Sequence, residues 1–165
     1  MDHRHHYAVS VEWTGNRGTG TSGYRAYGRD LVIRSDGKQH DLAGSADPAF
    51  FGDRERWNPE ELLLAALAQC HMLSYLYVAS RRGIVVVDYR DEASGSIEQT
   101  PDGGGHFTEA VLRPVVTIAS GDHAEAMEAH AEASALCFIA SSVNFPVRHE
   151  PTLVVADAAT DLDSP

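Results

Sequence analysis

Apolar and polar residues alternate with a period of two along the first part of the chain. Residues 7–13 and 24–34 carry this pattern, which is typical of strands that bury one face. A turn over residues 35–38 separates the second of these segments from a possible third strand at 39–42. Residues 44–56 have no clear period, so we expect a loop there.

A long helix is the clearest element that the pattern predicts. Asn58 is a good N-cap, Pro59 suits the first helical position, and Glu61 completes a capping box. Apolar residues then dominate every face as far as Arg82, and Gly83 is placed to end the helix. A helix of this kind is either the centre of a core or a membrane span, and its mid-span polar residues favour the core.

The rest of the chain predicts a hairpin of two long strands, a second helix and a last strand, at residues 84–99 and 106–120, 122–141, and 147–155. Asp122 and Glu125 can form a capping box at the start of the second helix, which runs past Cys137. Pro114 indicates a bulge or an edge position in the returning strand. The order of strands, helix, hairpin, helix and strand predicts an α+β fold.

Length and charge narrow the class of protein. The chain of 165 residues favours one domain, at residues 1–155, and the Asp-rich residues 156–165 predict an acidic, disordered tail. The net charge of −11 repels phosphate backbones and argues against nucleic-acid binding. The first residues lack the apolar segment of a signal peptide, so we expect a soluble cytoplasmic protein with no membrane partner.

Two cysteines are the first candidates for chemistry. Cys70 lies about midway along the first helix and Cys137 late in the second, in no metal-ligand spacing. Free cysteine often packs as a small hydrophobic residue, so these positions alone fit packing as well as reactivity. A nucleophilic cysteine acts as the thiolate, and in an apolar helix the thiolate needs a nearby cation.

Arg25 and Arg29, on the second predicted strand, are the candidate cations, although both also fit ordinary surface positions. Glu60 or Glu61 could hold such an arginine in place, since a carboxylate fixes a guanidinium precisely. Glu60 precedes Cys70 by ten positions on one helix, or about 15 Å along the axis. Glu60 would therefore act on this cysteine through a bridging arginine or across a dimer.

Other motifs in the sequence are weaker. Residues 18–23 fit the dinucleotide-binding pattern G-x-G-x-x-G, but they lead into strand-like sequence where that motif must open a helix. Cys70 and His71 resemble a nucleophile and its base, yet helical neighbours point about 100° apart. We interpret His71 as a packed or interface histidine, and the histidines among the first six residues as an irregular start of the chain.

Two segments resemble the OsmC/Ohr superfamily of thiol-dependent peroxidases. Residues 58–63 and 69–73 are similar to the central helix of that superfamily, and residues 136–147 to its second-cysteine segment. Residues 13–16 and 28–30 fit its first strands. The resemblance extends over nearly the whole chain and is closer to the OsmC-like branch than to Ohr proper.

The resemblance implies a fold and a function. It implies antiparallel sheets wrapped around two central helices in an intertwined homodimer. Cys70 would be the peroxidatic cysteine, Cys137 the resolving cysteine, Arg29 the activating arginine and Glu60 the glutamate that holds it. The implied reaction is reduction of organic hydroperoxides, with hydrogen peroxide as a second candidate substrate, without metal, flavin or other cofactor. External thiols or lipoylated proteins would reduce the disulfide.

Two other functions fit the same residues. One is a non-catalytic dimer of this fold that binds an apolar ligand and whose cysteines are structural. The other is a cysteine hydrolase that uses Cys70 with a distant histidine such as His149. Thiol labelling, peroxide consumption and ester turnover distinguish the three.

Overall fold

The computed structural model describes residues 4–156. The chain divides into two compact units, the first ending at Leu63 and the second beginning at Leu64. That residues 1–155 form a single domain stays a prediction. Residues 157–165, nearly all of the predicted tail, lie outside the described residues. Ala156, the first residue of that tail, donates its N–H to the Ile118 carbonyl at 2.8 Å.

The first unit contains an antiparallel sheet of three short strands, with β2 between β1 and β3. These strands are β1 Ser10–Trp13, β2 Leu31–Arg34 and β3 Leu42–Gly44. The predicted strand over residues 24–34 is therefore correct only at its end, because turns and bends occupy residues 18–27. The Asn16 side chain accepts N–H bonds from Gly18 and Gly20 at 2.9 and 3.1 Å, which folds the glycine-rich segment into a turn.

A close backbone approach fixes the loop before β2. The Gly28 N–H donates to the Gly15 carbonyl at 2.7 Å, and the Trp13 indole donates to the Gly28 carbonyl at 2.8 Å. A Cβ at Gly15 would lie 2.0 Å from the Gly28 carbonyl oxygen, so only glycine fits there. This contact determines where the chain enters the segment that carries Arg29.

The predicted first helix is present as α1, Pro59–Arg81. Its capping box is formed as predicted: Asn58 Oδ1 accepts from the Glu61 N–H at 2.8 Å, and the Glu61 carboxylate accepts from the Asn58 N–H at 3.3 Å. Gly83 follows the helix with φ of 70°, as a C-terminal glycine should. α1 is long and apolar enough to cross a membrane by length and composition, but one face of it packs into a core through Leu67, His71, Tyr75, Val78 and Ala79.

Each long predicted strand of the second unit is divided into two strands that lie in different sheets. The strands are β4 Val85–Asp91, β5 Ser94–Gln99, β6 Gly105–Leu112, β7 Pro114–Ser120, β8 Val147–His149 and β9 Thr152–Val155. One sheet has the order β4-β7-β9 and the other β5-β6-β8. The β4–β7 and β5–β6 pairs are antiparallel, whereas β8 and β9 pair in parallel with β6 and β7. The α+β class is confirmed, with mixed sheets.

Pro114 lies at one of these changes of sheet. It is the first residue of β7, which is the central strand of its sheet, and not at the predicted bulge or edge. A first residue tolerates the missing N–H because it begins the ladder of hydrogen bonds and does not interrupt it.

The second helix is α2, His123–Leu136, and it begins where predicted. Asp122 caps it by accepting from the Glu125 N–H at 2.9 Å. The helix ends five residues earlier than the predicted 141, because Cys137 has extended backbone angles, and a 3₁₀ turn follows at Ala140–Ser142. Small alanines at positions 126, 129 and 133 line its buried face, and the core around them also contains Tyr75, Val78, Ala79, Ile84, Val116 and Ile118.

Candidate functional site

Cys70 and Cys137 come together in the second unit, although they are far apart in sequence. Cys70 is half-buried on α1, and Cys137 is 1% exposed at the end of α2. Both are free thiols. They are near enough for a hydrogen bond with Cys70 to raise the pKa of Cys137. The sequence could not establish that the two cysteines lie close together; the fold brings them together.

The turn after α2 holds the Cys137 thiol in position. Its sulfur accepts from the Ala140 N–H at 3.4 Å, and its carbonyl accepts from the Ser141 N–H at 3.1 Å. The Ser141 hydroxyl adds a second bond to the same carbonyl at 3.0 Å. Because the backbone on both sides is fixed, the thiol has a defined direction.

The two cysteines are not chemically equivalent. Burial, and secondly the hydrogen bond with Cys70, raise the pKa of the Cys137 thiol to about 11, although the Ala140 N–H opposes this. A thiol with that pKa carries its proton at neutral pH. Because the thiolate is the reactive form, a thiol that keeps its proton is poorly suited to the first attack, on the peroxide. Cys137 suits the second attack, on a partner cysteine that is already oxidised.

Arg29 belongs to the first unit and is held by aromatic rings and backbone carbonyls. Its guanidinium lies 4.2 Å from the Tyr27 ring, 4.5 Å from the Tyr24 ring and 5.4 Å from the Phe51 ring. Its nitrogens donate to the Tyr27 carbonyl at 2.7 Å and the Tyr24 carbonyl at 2.8 Å. This side chain is ordered by local contacts.

Arg25, the other candidate cation, is held less tightly. It is exposed, and its guanidinium lies 5.0 Å from the centre of the Phe51 ring. Unlike Arg29 it makes no hydrogen bond within the described residues. Of the two candidate cations, Arg29 is thus held by two hydrogen bonds and three aromatic rings, whereas Arg25 contacts one ring.

Glu60 lies in the first turn of α1, in the same unit as Arg29. It is half-buried, and its Oε2 is buried with no hydrogen-bond partner among the described residues. Within residues 4–156, no ion pair joins it to Arg29. A buried carboxylate oxygen without a partner is costly, so Glu60 retains capacity for a donor. The pairing of Glu60 with Arg29 stays a prediction.

The structure contains a cluster of three histidine rings that the sequence did not predict, and one of them belongs to α1, the helix that carries Cys70. His71, His130 and His149 pack together in the second unit, with His71 completely buried. The prediction that His71 is packed is confirmed, while the ring of His149, the candidate hydrolase base, lies tilted against that of His71 with the ring centres 4.1 Å apart. One local signal was present: His130 continues the alanine face of α2, which is typical of a buried position. Across residues 4–156, no arrangement of three or more His, Cys, Asp or Glu side chains is suited to hold a metal ion.

Comparison with known proteins identifies the fold and the family. A sequence profile described as OsmC-like protein matches residues 52–152, more than half of the chain. An OsmC-like protein of unknown function from Vibrio cholerae is 28% identical, with a TM-score of 0.80 over 90% of this chain and 99% of that one. A search of curated protein sequences finds no match.

More distant solved structures share the fold. An organic hydroperoxide resistance protein from Legionella pneumophila is 20% identical, with a TM-score of 0.65 over 92% of this chain and 100% of that one. Another, from Bacillus subtilis, is 22% identical, with a TM-score of 0.58 over 90% and 98% of the two chains. At these identities the likeness concerns the fold.

Proposed function

This chain belongs to the OsmC-like protein family, and on that basis we propose that it reduces organic hydroperoxides with Cys70 and Cys137. The observation that carries the proposal is the adjacency of two free thiols, one of them a buried thiol whose pKa is raised to about 11. Two structures of the same fold are organic hydroperoxide resistance proteins. The proposed reaction needs no resident metal or cofactor.

The proposed cycle has three steps. The Cys70 thiolate attacks the terminal oxygen of ROOH; the S–O bond forms, the O–O bond breaks, and the alkoxide leaves as ROH after taking a proton. The Cys137 sulfur then attacks the Cys70 sulfenic acid, forming the disulfide and releasing water with the Cys137 proton. An external dithiol, such as a lipoylated protein, returns two electrons and two protons.

One experiment tests the peroxidase function directly. The reduced protein is treated with one equivalent of cumene hydroperoxide, and its intact mass and free thiols are measured. Disulfide formation predicts a loss of about two mass units and of both thiols. If both thiols survive, the proposal fails and the non-catalytic binding dimer is the better interpretation.

We further propose that Arg29 and Glu60 activate the peroxide and the thiolate, as the family resemblance implies. Support comes from the contacts of Arg29, which point its guanidinium in one direction, and from the unpartnered Glu60 oxygen. A planar guanidinium with fixed orientation can donate two bonds to a developing anion, whereas an ammonium cannot reproduce that geometry.

Arg29→Lys is expected to slow oxidation of Cys70 roughly 100-fold, because one oriented donor to the transition state is lost. The matched control is Arg25→Lys, at an exposed arginine of the same segment, which should change the rate by less than about 2-fold. Stopped-flow measurement of peroxide consumption gives both rates. Equal effects of the two substitutions would remove Arg29 from the mechanism, and a larger effect of Arg25→Lys would assign its role to Arg25.

We also propose that the protein is a homodimer. Leu73, Leu76 and Tyr77 lie at helical spacing on one side of α1 and are 56%, 36% and 54% exposed. After α2, Phe138 is 77% exposed. A chain by itself rarely leaves so many large apolar side chains in water. Mass measured under native conditions in the peroxide experiment should therefore be twice that of one chain.

A further inference from the structure

Two buried histidines lie on the helices that carry or end at the two cysteines, and a half-buried third lies beside them on a strand. His71 is on α1, His130 on α2 and His149 on β8, all in the second unit. His71 Nε2 and His130 Nδ1 are 3.0 Å apart and share one proton in a hydrogen bond. The centre of the His149 ring lies 4.1 Å from that of His71, and Tyr75 stacks on His130, also at 4.1 Å. We call these three histidines the histidine column.

Protonation of His71 or His130 would place a positive charge in a buried site. His71 is 0% and His130 4% exposed, and the second nitrogen of each ring, like His149 Nε2, has no hydrogen-bond partner among the described residues. Burial, followed by the other two histidines, lowers the pKa of His71 to about 3. Burial, followed by His149, lowers the pKa of His130 to about 4, and burial also lowers the pKa of His149.

The groups around the column cannot neutralise such a charge. Tyr75 on α1 and Tyr89 on β4 are half to fully buried, and burial raises the pKa of both, so they stay uncharged in acid. Arg148, on β8, forms an ion pair with Glu109. Glu150, directly after β8, forms an ion pair with Arg113.

Asp91, at the end of β4, has the opposite effect on stability. Burial raises its pKa, so the folded state binds its proton more readily than the unfolded state does. Its contribution therefore favours the folded state on acidification. Protonation of Asp91 stabilises the folded state, whereas protonation of the histidines destabilises it. Asp91 therefore cannot account for a loss of stability in acid.

We propose that the histidine column is an acid-operated latch: while its rings are neutral it holds α1 to α2 and β8, and protonation releases them and separates Cys70 from Cys137. Cys70 is the helical neighbour of His71, and Cys137 ends the helix that carries His130. Opening that hydrates His71 and His130 therefore moves the elements on which both thiols lie. The latch itself is a property of the packing; that it switches off peroxide reduction rests on the proposed function.

The direction of the pH effect follows from proton binding. An unfolded histidine has a pKa of about 6.5, while those of His71 and His130 are about 3 and 4 in the folded state. Stability from these groups is complete above about pH 6.5 and is lost as the pH falls to about 4 for His130 and to about 3 for His71. Each histidine that is hydrated on opening shifts the equilibrium about 10-fold per pH unit, so two shift it about 100-fold.

The test measures the exposure of Cys137 in the Cys70→Ser protein, where it is the one remaining thiol. A pyridyl disulfide reagent labels it between pH 7 and pH 4.5, and the rate is divided by that of the same chain in urea at the same pH. This ratio cancels the intrinsic effect of pH on the thiol. The latch predicts that protection falls at least about 100-fold per pH unit below pH 6 from His71 and His130, to which hydration of His149 adds up to about 10-fold. No peroxide is used, so the outcome is independent of the proposed reaction.

Two variants test whether the loss of Cys137 protection in acid comes from the histidine column. His71→Phe/His130→Phe keeps stacked rings without protonation, and the loss of protection should drop to at most about 10-fold per pH unit, from His149. His123→Gln, at an exposed histidine of α2, should behave like the parent protein. An undiminished slope in the double variant overturns the latch.

Should the double variant fail to fold, histidine titration by NMR of the unaltered protein decides. The latch predicts that His71, His130 and His149 keep neutral-ring resonances until the protein opens. Titration of the three column residues near pH 6.5 in a closed protein overturns the proposal.

Discussion

Replacing Cys70 with serine is expected to abolish peroxide-dependent loss of thiols and to lower turnover by on the order of 1000-fold or more. The hydroxyl has nearly the same shape, so it preserves packing on α1. It is not ionised at neutral pH and is a poor nucleophile toward an O–O bond. Intact mass after one equivalent of cumene hydroperoxide should be unchanged, and Cys137 should still be titratable as one free thiol.

The matched control for this substitution is Ser74→Ala, a half-buried position one turn further along the same helix. It should retain the full loss of about two mass units, since it removes no reacting group. Circular dichroism verifies that both variants fold. If Cys70→Ser still consumed peroxide at the original rate, Cys70 would not be the nucleophile and the mechanism would be wrong.

Replacing Cys137 with serine is expected to leave the first step intact and to stop the second. One equivalent of peroxide should add roughly 16 mass units as a sulfenic acid on Cys70, and excess peroxide should add roughly 32 as the sulfinic acid. Steady-state turnover with an external dithiol should fall about 100-fold or more, because a free thiol lacks the effective concentration of a neighbouring one. Mass spectrometry and stopped-flow kinetics measure the two effects separately.

The environment of Cys137 sets a further expectation for the same variant. The Cys137 sulfur accepts from the Ala140 N–H at 3.4 Å, and a serine hydroxyl can accept there too. Cys137→Ser should therefore fold and keep the turn after α2. A disulfide in this variant could only join Cys70 of two chains, and covalent dimers as the main product would contradict the expected sulfenic acid.

Local patterns were sufficient to predict the helices and the fold class. The Asn58–Glu61 capping box, Gly83 and the Asp122 cap all lie within a few residues of the helix ends that they define. Signals of that range are written in the sequence itself. The end of α2 was predicted wrongly because Cys137 leaves the helix without a Gly or Pro at that point.

The long strands were predicted as continuous because alternation continues through their breaks. Each breaks where the chain changes sheets, at residues 92–93, 113 and 150–151. What marks the break near Arg113 is a contact between strands: the Asp91 side chain accepts from the Arg113 N–H at 2.7 Å. A bond between residues 22 positions apart has no counterpart in local periodicity.

The sequence by itself determined that the chain is an α+β protein with two cysteines in contexts similar to those of the OsmC/Ohr superfamily, because caps, periodicity and short motifs act over a few residues. Only the tertiary structure decided that the Cys137 thiol lies beside Cys70, with its pKa raised. It alone brought His71 within 3.0 Å of His130, 59 positions away. The physical reason is the same in both cases: the distance between helices depends on how their buried faces pack, and the alanines of α2 share one core with Tyr75, Val78 and Ala79 of α1.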